Sequence, residues 1–488
     1  MTTASLETGY ETVIGLEIHV ELLTESKVYC SCSTEFGGEP NTRVCPVCLG
    51  LPGVLPVLNE KAVLYTVMIG LALNCRIPSA SKFDRKNYFY PDLPKAYQIS
   101  QYDSPVCVGG YLDIPGAEGS RRIGIVRVHL EEETGKSVHS SDNILGSEYS
   151  LLDFNRSGIP LVEIVTGPDV RSPEEARLFL EELKTIVQYT GASDCKMDEG
   201  SLRCDANISL RPRGASALGT KTEIKNMNSF RAVERALEYE VKRQAELLRG
   251  GGKVVQETRH WDEARGVTVF GRSKEEADDY RYFPEPDLVP LAIPRETVER
   301  LRAELPELPA ARRRRYVEEC GLPEYDARVI TTSRKLADFF EECMRLRSDP
   351  KTLSNWIMGE LSRLLNEEDR DLKDSLVTPS YLVCLIDLVE KGTVSTTAAK
   401  QVFEATFRSG KPPIEVIRDL GLEQISDASE LDGVIDNVIA ENPDAVASFK
   451  AGKEKAIGAL VGQVMKLTRG KANPGLVNEL LRKKLAGA

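Results

Sequence analysis

Val13-Ile14-Gly15-Leu16-Glu17-Ile18-His19-Val20 alternates along its length, with Ile14, Leu16, Ile18 and Val20 at every second position. Side chains of an extended chain point alternately to opposite faces, so the four aliphatics share one face and Glu17 and His19 share the other. That is a strand with one face for a core and one for chemistry. Ile123 to Leu130 and Leu161 to Val165 read the same way. Ser172-Pro173-Glu174-Glu175 then supplies an N-cap, a first-turn proline and a capping-box glutamate ahead of Leu178, Leu183, Ile186 and Val187, which predicts a helix between strands. From Glu11 to about Val289 the chain therefore reads as one large α+β domain.

Just after the first strand, Cys30, Cys32, Cys45 and Cys48 form a C-x-C-x12-C-x2-C array. Each close pair can place two thiolates on one knuckle, and the intervening Gly37, Gly38, Pro40 and Asn41 let the loop turn back. Four sulfurs leave no open coordination position, which predicts a structural zinc rather than a catalytic one. The bland alternative is a set of ordinary buried or free thiols. Cys75, Cys107, Cys195, Cys204, Cys320, Cys343 and Cys384 follow no pairing pattern, and a total of 11 is odd, as suits a reducing compartment.

With 488 residues the chain exceeds one ordinary core, so several domains are expected. No apolar run approaches the roughly 18 residues needed to span a membrane, and Met1 to Tyr10 lack a signal-peptide pattern. A cytoplasmic protein is expected. Net charge is -12, from 75 acidic and 63 basic residues, which excludes wholesale coating of a polyanion but not one local basic face. Pro284, Pro286 and Pro290 interrupt regular structure and helical patterning follows, which places a boundary near residue 293. Ser409-Gly410-Lys411-Pro412-Pro413 marks a second linker. The predicted domains are 1–292, an all-α segment 293–410 and a small helical tail 411–488. In the tail, Ile457, Leu460, Val461, Val464 and Leu467 form a helical stripe, and Asn473-Pro474 starts a last helix. From Lys450 onward nine Lys or Arg stand against Glu454 and Glu479. Such a cluster is either a phosphate-binding face or a solvated surface.

Every imidazole mechanism must use His19, His129, His139 or His260, the only four histidines. Glu131-Glu132-Glu133 are three successive carboxylates that repel one another and attract a hard divalent cation, unless they form an exposed acidic turn. Glu163 sits between Leu161-Val162 and Ile164-Val165, where an unpaired carboxylate is costly, so it needs a metal, a base or an edge position. Two further segments, Met197 to Asn207 and Lys221 to Phe230, gather acids, amides and lysines; within them Asp205, Asn207, Lys225 and Asn226 are candidates for phosphate or ribose contact. Gly214 to Thr222 has one residue too many for a Walker A loop, and neither a G-x-S-x-G elbow nor an H-E-x-x-H pair occurs. Hydrolysis by an internal nucleophile is unsupported.

Val13 to Val20, the run Cys45-Pro46-Val47-Cys48-Leu49-Gly50-Leu51-Pro52-Gly53, and Lys86-Asn87-Tyr88-Phe89-Tyr90-Pro91-Asp92-Leu93-Pro94-Lys95 closely resemble the GatB family, the B subunits of bacterial glutamyl/aspartyl-tRNA amidotransferases. So do Asp153 to Gly158, Leu202 to Asn207, Asp279 to Asp287 and Gly470 to Pro474, and the resemblance covers nearly the whole chain. It implies a cradle-like catalytic domain with a mixed or antiparallel sheet, then a helical domain and a helical tail. It also implies the reaction: ATP phosphorylates the side-chain carboxylate of Glu-tRNA(Gln) or Asp-tRNA(Asn), and ammonia displaces the phosphate. Which of the two tRNAs is used depends on which misacylated tRNAs the host makes.

By resemblance, His19 and Glu132, with Glu17, Glu131 and Glu163 nearby, surround magnesium and the ATP phosphates, His19, Glu132 and Glu163 being the metal ligands. Nitrogen is a poorer ligand than oxygen for so hard an ion. Relatives commonly read Glu-Glu-Asp-Ala-Gly-Lys where this chain has Glu131-Glu132-Glu133-Thr134-Gly135-Lys136, and the added methylene argues against Glu133 as a direct ligand. Tyr88 and Tyr90 with Lys82 and Lys86 resemble the polar lining where ammonia arrives, although ordinary packing aromatics look alike. The chain lacks an amidase signature, so the resemblance implies a glutamine-hydrolysing A subunit and a small C subunit completing a heterotrimer. Lys450, Lys453, Lys466, Arg469 and Lys471 become candidates for tRNA contact. The rival reading is a zinc-containing tRNA-binding adaptor whose carboxylates no longer catalyse.

Overall fold

The computed structural model describes residues 9–116, 119–140, 147–273, 277–424, 428–468 and 471–486. The chain divides into two compact units, one ending at Pro309 and one beginning at Ala310. No helix among the described residues is long and apolar enough to cross a membrane.

In the first unit the strands are β1 (Tyr10–Glu21), β2 (Ala80–Ser81), β3 (Asp84–Asn87), β4 (Tyr97–Ser100), β5 (Cys107–Gly116), β6 (Gly119–Glu132), β7 (Lys136–His139), β8 (Ser150–Asp153), β9 (Pro160–Thr166), β10 (Leu202–Pro212), β11 (Thr222–Lys225), β12 (Glu257–Asp262), β13 (Val267–Ser273), β14 (Phe283–Pro284) and β15 (Leu291–Ala292). Eight of them form one sheet in the order β13-β12-β11-β10-β1-β9-β6-β5. Its neighbours are antiparallel except for β11 and β12, so the sheet is mixed. Smaller sheets β14-β3-β4, β15-β2 and β7-β8 accompany it.

The alternation expected of β1 is realised. Ile14, Leu16, Ile18 and Val20 are at most 1% exposed, and burying each contributes about 2 kcal/mol. They share a core with α1 (Glu60–Ala72), α2 (Pro173–Thr190) and α3 (Phe230–Arg249). Helix α2 begins as its sequence requires: Ser172 Oγ accepts from the Glu175 amide at 3.1 Å, with Pro173 in the first turn. Gly191 ends it in the left-handed conformation, φ 73°. With the apolar face covered, the opposite face of the sheet carries the odd-numbered polar residues of β1.

The first unit reaches beyond the boundary expected near 293, because α4 (Arg295–Glu304) places Leu301, 2% exposed, in the same core. The second unit is wholly helical among the described residues and holds two cores, one from Tyr316 to Ile417 and one from Leu431 to Leu485. The helix Pro413–Leu420 buries Val416 and Ile417 in the former, so residues just past the expected linker at 410 belong to the preceding core. Of the stripe predicted on Ile457–Leu467, Ile457, Leu460 and Val464 are buried and Val461 packs against them, while Leu467 at the helix end is 55% exposed; Asn473 Oδ1 caps the last helix by accepting from Leu476 N at 3.2 Å.

Candidate active site

Strand register assembles the polar face. His19 of β1 stands opposite Glu163 of β9, and Glu163 stands opposite His129 of β6. Three neighbouring strands thus place imidazole, carboxylate and imidazole in one row, and Glu131 lies two residues beyond His129 on the same face. His19 Nε2 is 3.3 Å from Glu163 Oε2 and 3.7 Å from Glu131 Oε1. His129 Nε2 approaches the same two carboxylates at 3.8 and 3.6 Å. Arg127 Nη2 lies 3.6 Å from Glu163 Oε1, and Ser100 Oγ donates to Glu131 Oε2 at 3.0 Å.

The electrostatics reinforce one another. Burial opposes charge on His19, but the hydrogen bond to Glu163 and the Glu163 and Glu131 charges outweigh it and raise its pKa. Burial likewise opposes ionisation of Glu163, yet His129, His19 and Lys86 hold it well below the usual carboxylate range. Glu131 is lowered too, chiefly by His129 acting against burial. Lys86 of β3 is raised despite burial, by Tyr282, Glu131 and Glu163. Two anions held ionised under imidazoles and an ammonium form a poised polyionic site.

His19, Glu131 and Glu163 offer ligand atoms all within 4.8 Å of one another. Of the expected magnesium set His19, Glu132 and Glu163, the structure brings His19 and Glu163 together and leaves Glu132 apart from them. Glu132 points to the other side of β6, as alternation demands, where its carboxylate pairs with Lys95 and accepts from Ile99 N at 2.9 Å. Glu131 is the glutamate of the three that reaches His19 and lies with Glu163. Glu133 is bonded by Arg203, with Arg156 at 3.9 Å; against the cost of burial these arginines push its pKa down to about 2. Glu17, two residues before His19, accepts from Asn207 Nδ2 at 2.9 Å.

Asp205 pairs with Lys225 on adjacent strands of the same face, and Glu223 Oε1 lies 3.8 Å from Lys225 Nζ. Asn226 is exposed in the left-handed region, φ 66°, with Nδ2 donating to Trp261 O at 3.3 Å. Lys86 Nζ is 5.6 Å from the Tyr88 ring and 4.9 Å from that of Tyr280, and Tyr88 packs edge-on against Tyr90. Lys82 is instead held by Asp84 and Asp103. Sequence reading left His129, Arg127 and Arg203 without roles. The available signal was parity, since His129 has the same phase as Glu131, but its partner strand was needed to use it.

Cys30, Cys32, Cys45 and Cys48 converge between β1 and α1, their sulfurs within 4.8 Å of one another and those of Cys45 and Cys48 4.0 Å apart. Tetrahedral zinc with bonds of about 2.3 Å sets sulfurs roughly 3.8 Å apart, so the donor set fits. Beside the knuckle, a cavity of about 450 Å³ is lined by Glu21, Thr24, Glu35, Phe36, Asp194 and Ser201 among others. Burial and the Glu133 charge push the Glu21 carboxyl up to about 7. In the second unit Lys450, Lys453, Lys466 and Lys471 are all exposed, while Arg469 lies outside the described residues.

A sheet-borne polyionic site and a four-cysteine knuckle in one unit, with a helical unit following in the chain, define a class of catalytic subunit to which two family profiles correspond. The GatB/GatE catalytic domain matches residues 12–299, and the GatB domain matches residues 338–485. The B subunit of the aspartyl/glutamyl-tRNA(Asn/Gln) amidotransferase of Carboxydothermus hydrogenoformans is 59% identical over 98% of this chain and 99% of its own. The proteins of the same name from Moorella thermoacetica and Thermodesulfovibrio yellowstonii are 59% and 55% identical, over 98% and 97% of this chain and 100% and 99% of theirs. The chain belongs to the GatB family, the amidotransferase B subunits.

Proposed function

We propose that this chain activates the side-chain carboxylate of Glu-tRNA(Gln) or Asp-tRNA(Asn) with ATP and converts it to the amide, using ammonia from a partner amidase. The grouping of His19, Glu131 and Glu163 beside Lys86 carries this reading. A carboxylate oxygen is a poor leaving group at neutral pH, so the substrate oxygen must first attack the γ-phosphorus, releasing ADP. Ammonia then adds to the acyl carbon through its lone pair, the C–O bond to phosphate breaks with its electron pair leaving on the phosphate, and one N–H proton passes to that departing phosphate. Phosphoryl transfer needs positioning and charge neutralisation rather than a protein nucleophile.

A magnesium ion would be held by His19, as neutral imidazole, with Glu131 and Glu163, and would supply the divalent charge that phosphate oxygens require. Lys86 adds a buried cation next to the same site, and Tyr88 and Tyr280 flank its ammonium. His19 and His129 lower the pKa of Glu131 and Glu163 against the cost of burial, so neither carboxyl carries a proton that would convert the arriving ammonia to non-nucleophilic ammonium. Asp205, Asn207, Lys225 and Asn226 contact the nucleotide from the neighbouring strands. Zinc in the four-cysteine knuckle is structural, which agrees with thiols kept reduced in the cytoplasm. A glutamine-hydrolysing A subunit and a small C subunit complete a heterotrimer, and the tail lysines bind tRNA.

The test is phosphate release from ATP by the assembled complex with misacylated tRNA, followed by amide formation. Release that requires the tRNA and is lost with His19→Ala supports the reading. Binding of tRNA without release makes the chain an adaptor.

A further inference from the structure

We propose that Lys27 is a positioning residue for the four-cysteine metal site. Its buried ammonium offsets the negative charge of the tetrathiolate and clasps the knuckle to the loop from Phe154 to Ile159, whose backbone bonds that of Glu133. The inference rests on the reading that the four cysteines hold zinc.

Lys27 is 0% exposed, a state that lysine almost never adopts without an anionic partner. Its Nζ donates to Arg43 O at 2.9 Å, to Phe154 O at 3.3 Å and to Cys48 Sγ at 3.6 Å. The carbonyls satisfy N–H groups but carry no charge. Among the described residues no Asp or Glu pairs with it, so the Cys48 sulfur is the one acceptor in its shell able to bear a negative charge. A divalent ion with four thiolates carries two surplus negative charges, and hydrogen bonds from surrounding donors are what stabilise such a centre.

The same side chain joins two segments that the sequence keeps far apart. Lys27 N donates to Cys32 O at 3.0 Å, Val28 N to Gly158 O at 2.9 Å, and Gly158 N to Glu133 O at 2.8 Å. Ser157 Oγ also donates to Cys48 O, at 3.3 Å. Gly158 suits this position through its left-handed φ of 85°, not through space, since a Cβ there would meet Lys27 Cδ at 3.5 Å and Cys48 Cβ at 3.6 Å, ordinary contact distances. The ammonium therefore lies between the metal site and the loop from Phe154 to Ile159, which leads back to Glu133.

The experiment compares full-length wild type with Lys27→Met and Lys27→Arg. Zinc release to a chromogenic chelator is measured for each, and thermal unfolding is measured with zinc bound and after stripping. Lys27→Met should release zinc at least about tenfold more readily, the scale of loss when a partner to a metal ligand is removed. Stripped Lys27→Met should unfold no earlier than stripped wild type, because without the metal the ammonium has lost its counter-charge. Lys27→Arg, which keeps a cation, should stay within about threefold of wild type. Unchanged zinc affinity in Lys27→Met overturns the proposal, as does an equal loss of stability in both states, which would make Lys27 a packing residue. If Lys27→Met does not fold, Lys27→Arg decides: a tenfold loss of affinity there overturns the charge argument. Wild type that retains no zinc overturns the reading beneath the proposal, and is recognised before any variant is compared.

Discussion

His19 and Glu163 stand opposite each other in register across β1 and β9, with Nε2 3.3 Å from the carboxylate. The contact raises the pKa of the imidazole and holds that of the carboxylate well below its usual range, and Glu131 completes it from the next strand. Substituting any of the three should disable the same step. His19→Ala, Glu131→Gln and Glu163→Gln should each lower tRNA-dependent phosphate release at least about a hundredfold, while glutamine hydrolysis by the assembled complex persists. Near-normal release in any one variant removes that residue from the site.

Glu132→Gln should behave differently, because Glu132 faces Lys95 and the Ile99 amide on the other side of β6. The expected outcome is lower stability, by about 3 kcal/mol, from a buried ion pair broken on one side. Denaturant midpoints and kcat of the folded fraction separate the effects. A kcat loss matching that of Glu131→Gln, at unchanged stability, contradicts the placement.

Glu133 and Glu21 should impose opposite pH dependences. Glu133 is held at about 2, below its unfolded value, so its stabilisation is complete above about pH 4.5 and is lost as pH falls through 2. A shift of this size corresponds to about 3 kcal/mol. Glu21 is raised to about 7, so the folded state retains its proton and stability falls as pH rises from about 4.5 through 7. Glu21→Gln should therefore be more stable than wild type at pH 8 and equal to it near pH 4.5, whereas Glu133→Gln should be least stable relative to wild type at pH 7. Urea titrations at these pH values read both signs.

Metal analysis of carefully reduced protein should find about one zinc per chain, with sulfur ligands at roughly 2.3 Å by X-ray absorption. Cys45→Ser should release the metal and lower the unfolding temperature of the first unit. Retention of stoichiometric zinc in that variant shows that Cys45 is no ligand.

Removing the tail should be done after residue 424 rather than at 411, because Val416 and Ile417 belong to the preceding core. The truncated complex should show a raised KM for aminoacyl-tRNA and a shallower salt dependence, since fewer phosphate counterions are released. Neutralising Lys450, Lys453, Lys466 and Lys471 together should reproduce part of this. An unchanged KM and salt slope make the cluster a solvated face.

Local sequence determined the elements and much of the chemistry. Alternation from Val13 to Val20 set a strand with His19 on its polar face, the Ser172-Pro173 start set α2, and cysteine spacing set the knuckle, because each is a short-range property of side-chain period, capping or ligand spacing. Only tertiary structure decided which glutamate joins His19. Three successive glutamates offer two faces, and choosing between Glu131 and Glu132 requires knowing that β6 pairs with β9 so that His129 meets Glu163. The partners that hold Lys27 likewise come from residues 43, 48 and 154, and the domain limits moved because Leu301 and Ile417 found cores on the far side of the prolines. Such contacts depend on strand register and packing between distant segments, which no local window of sequence encodes.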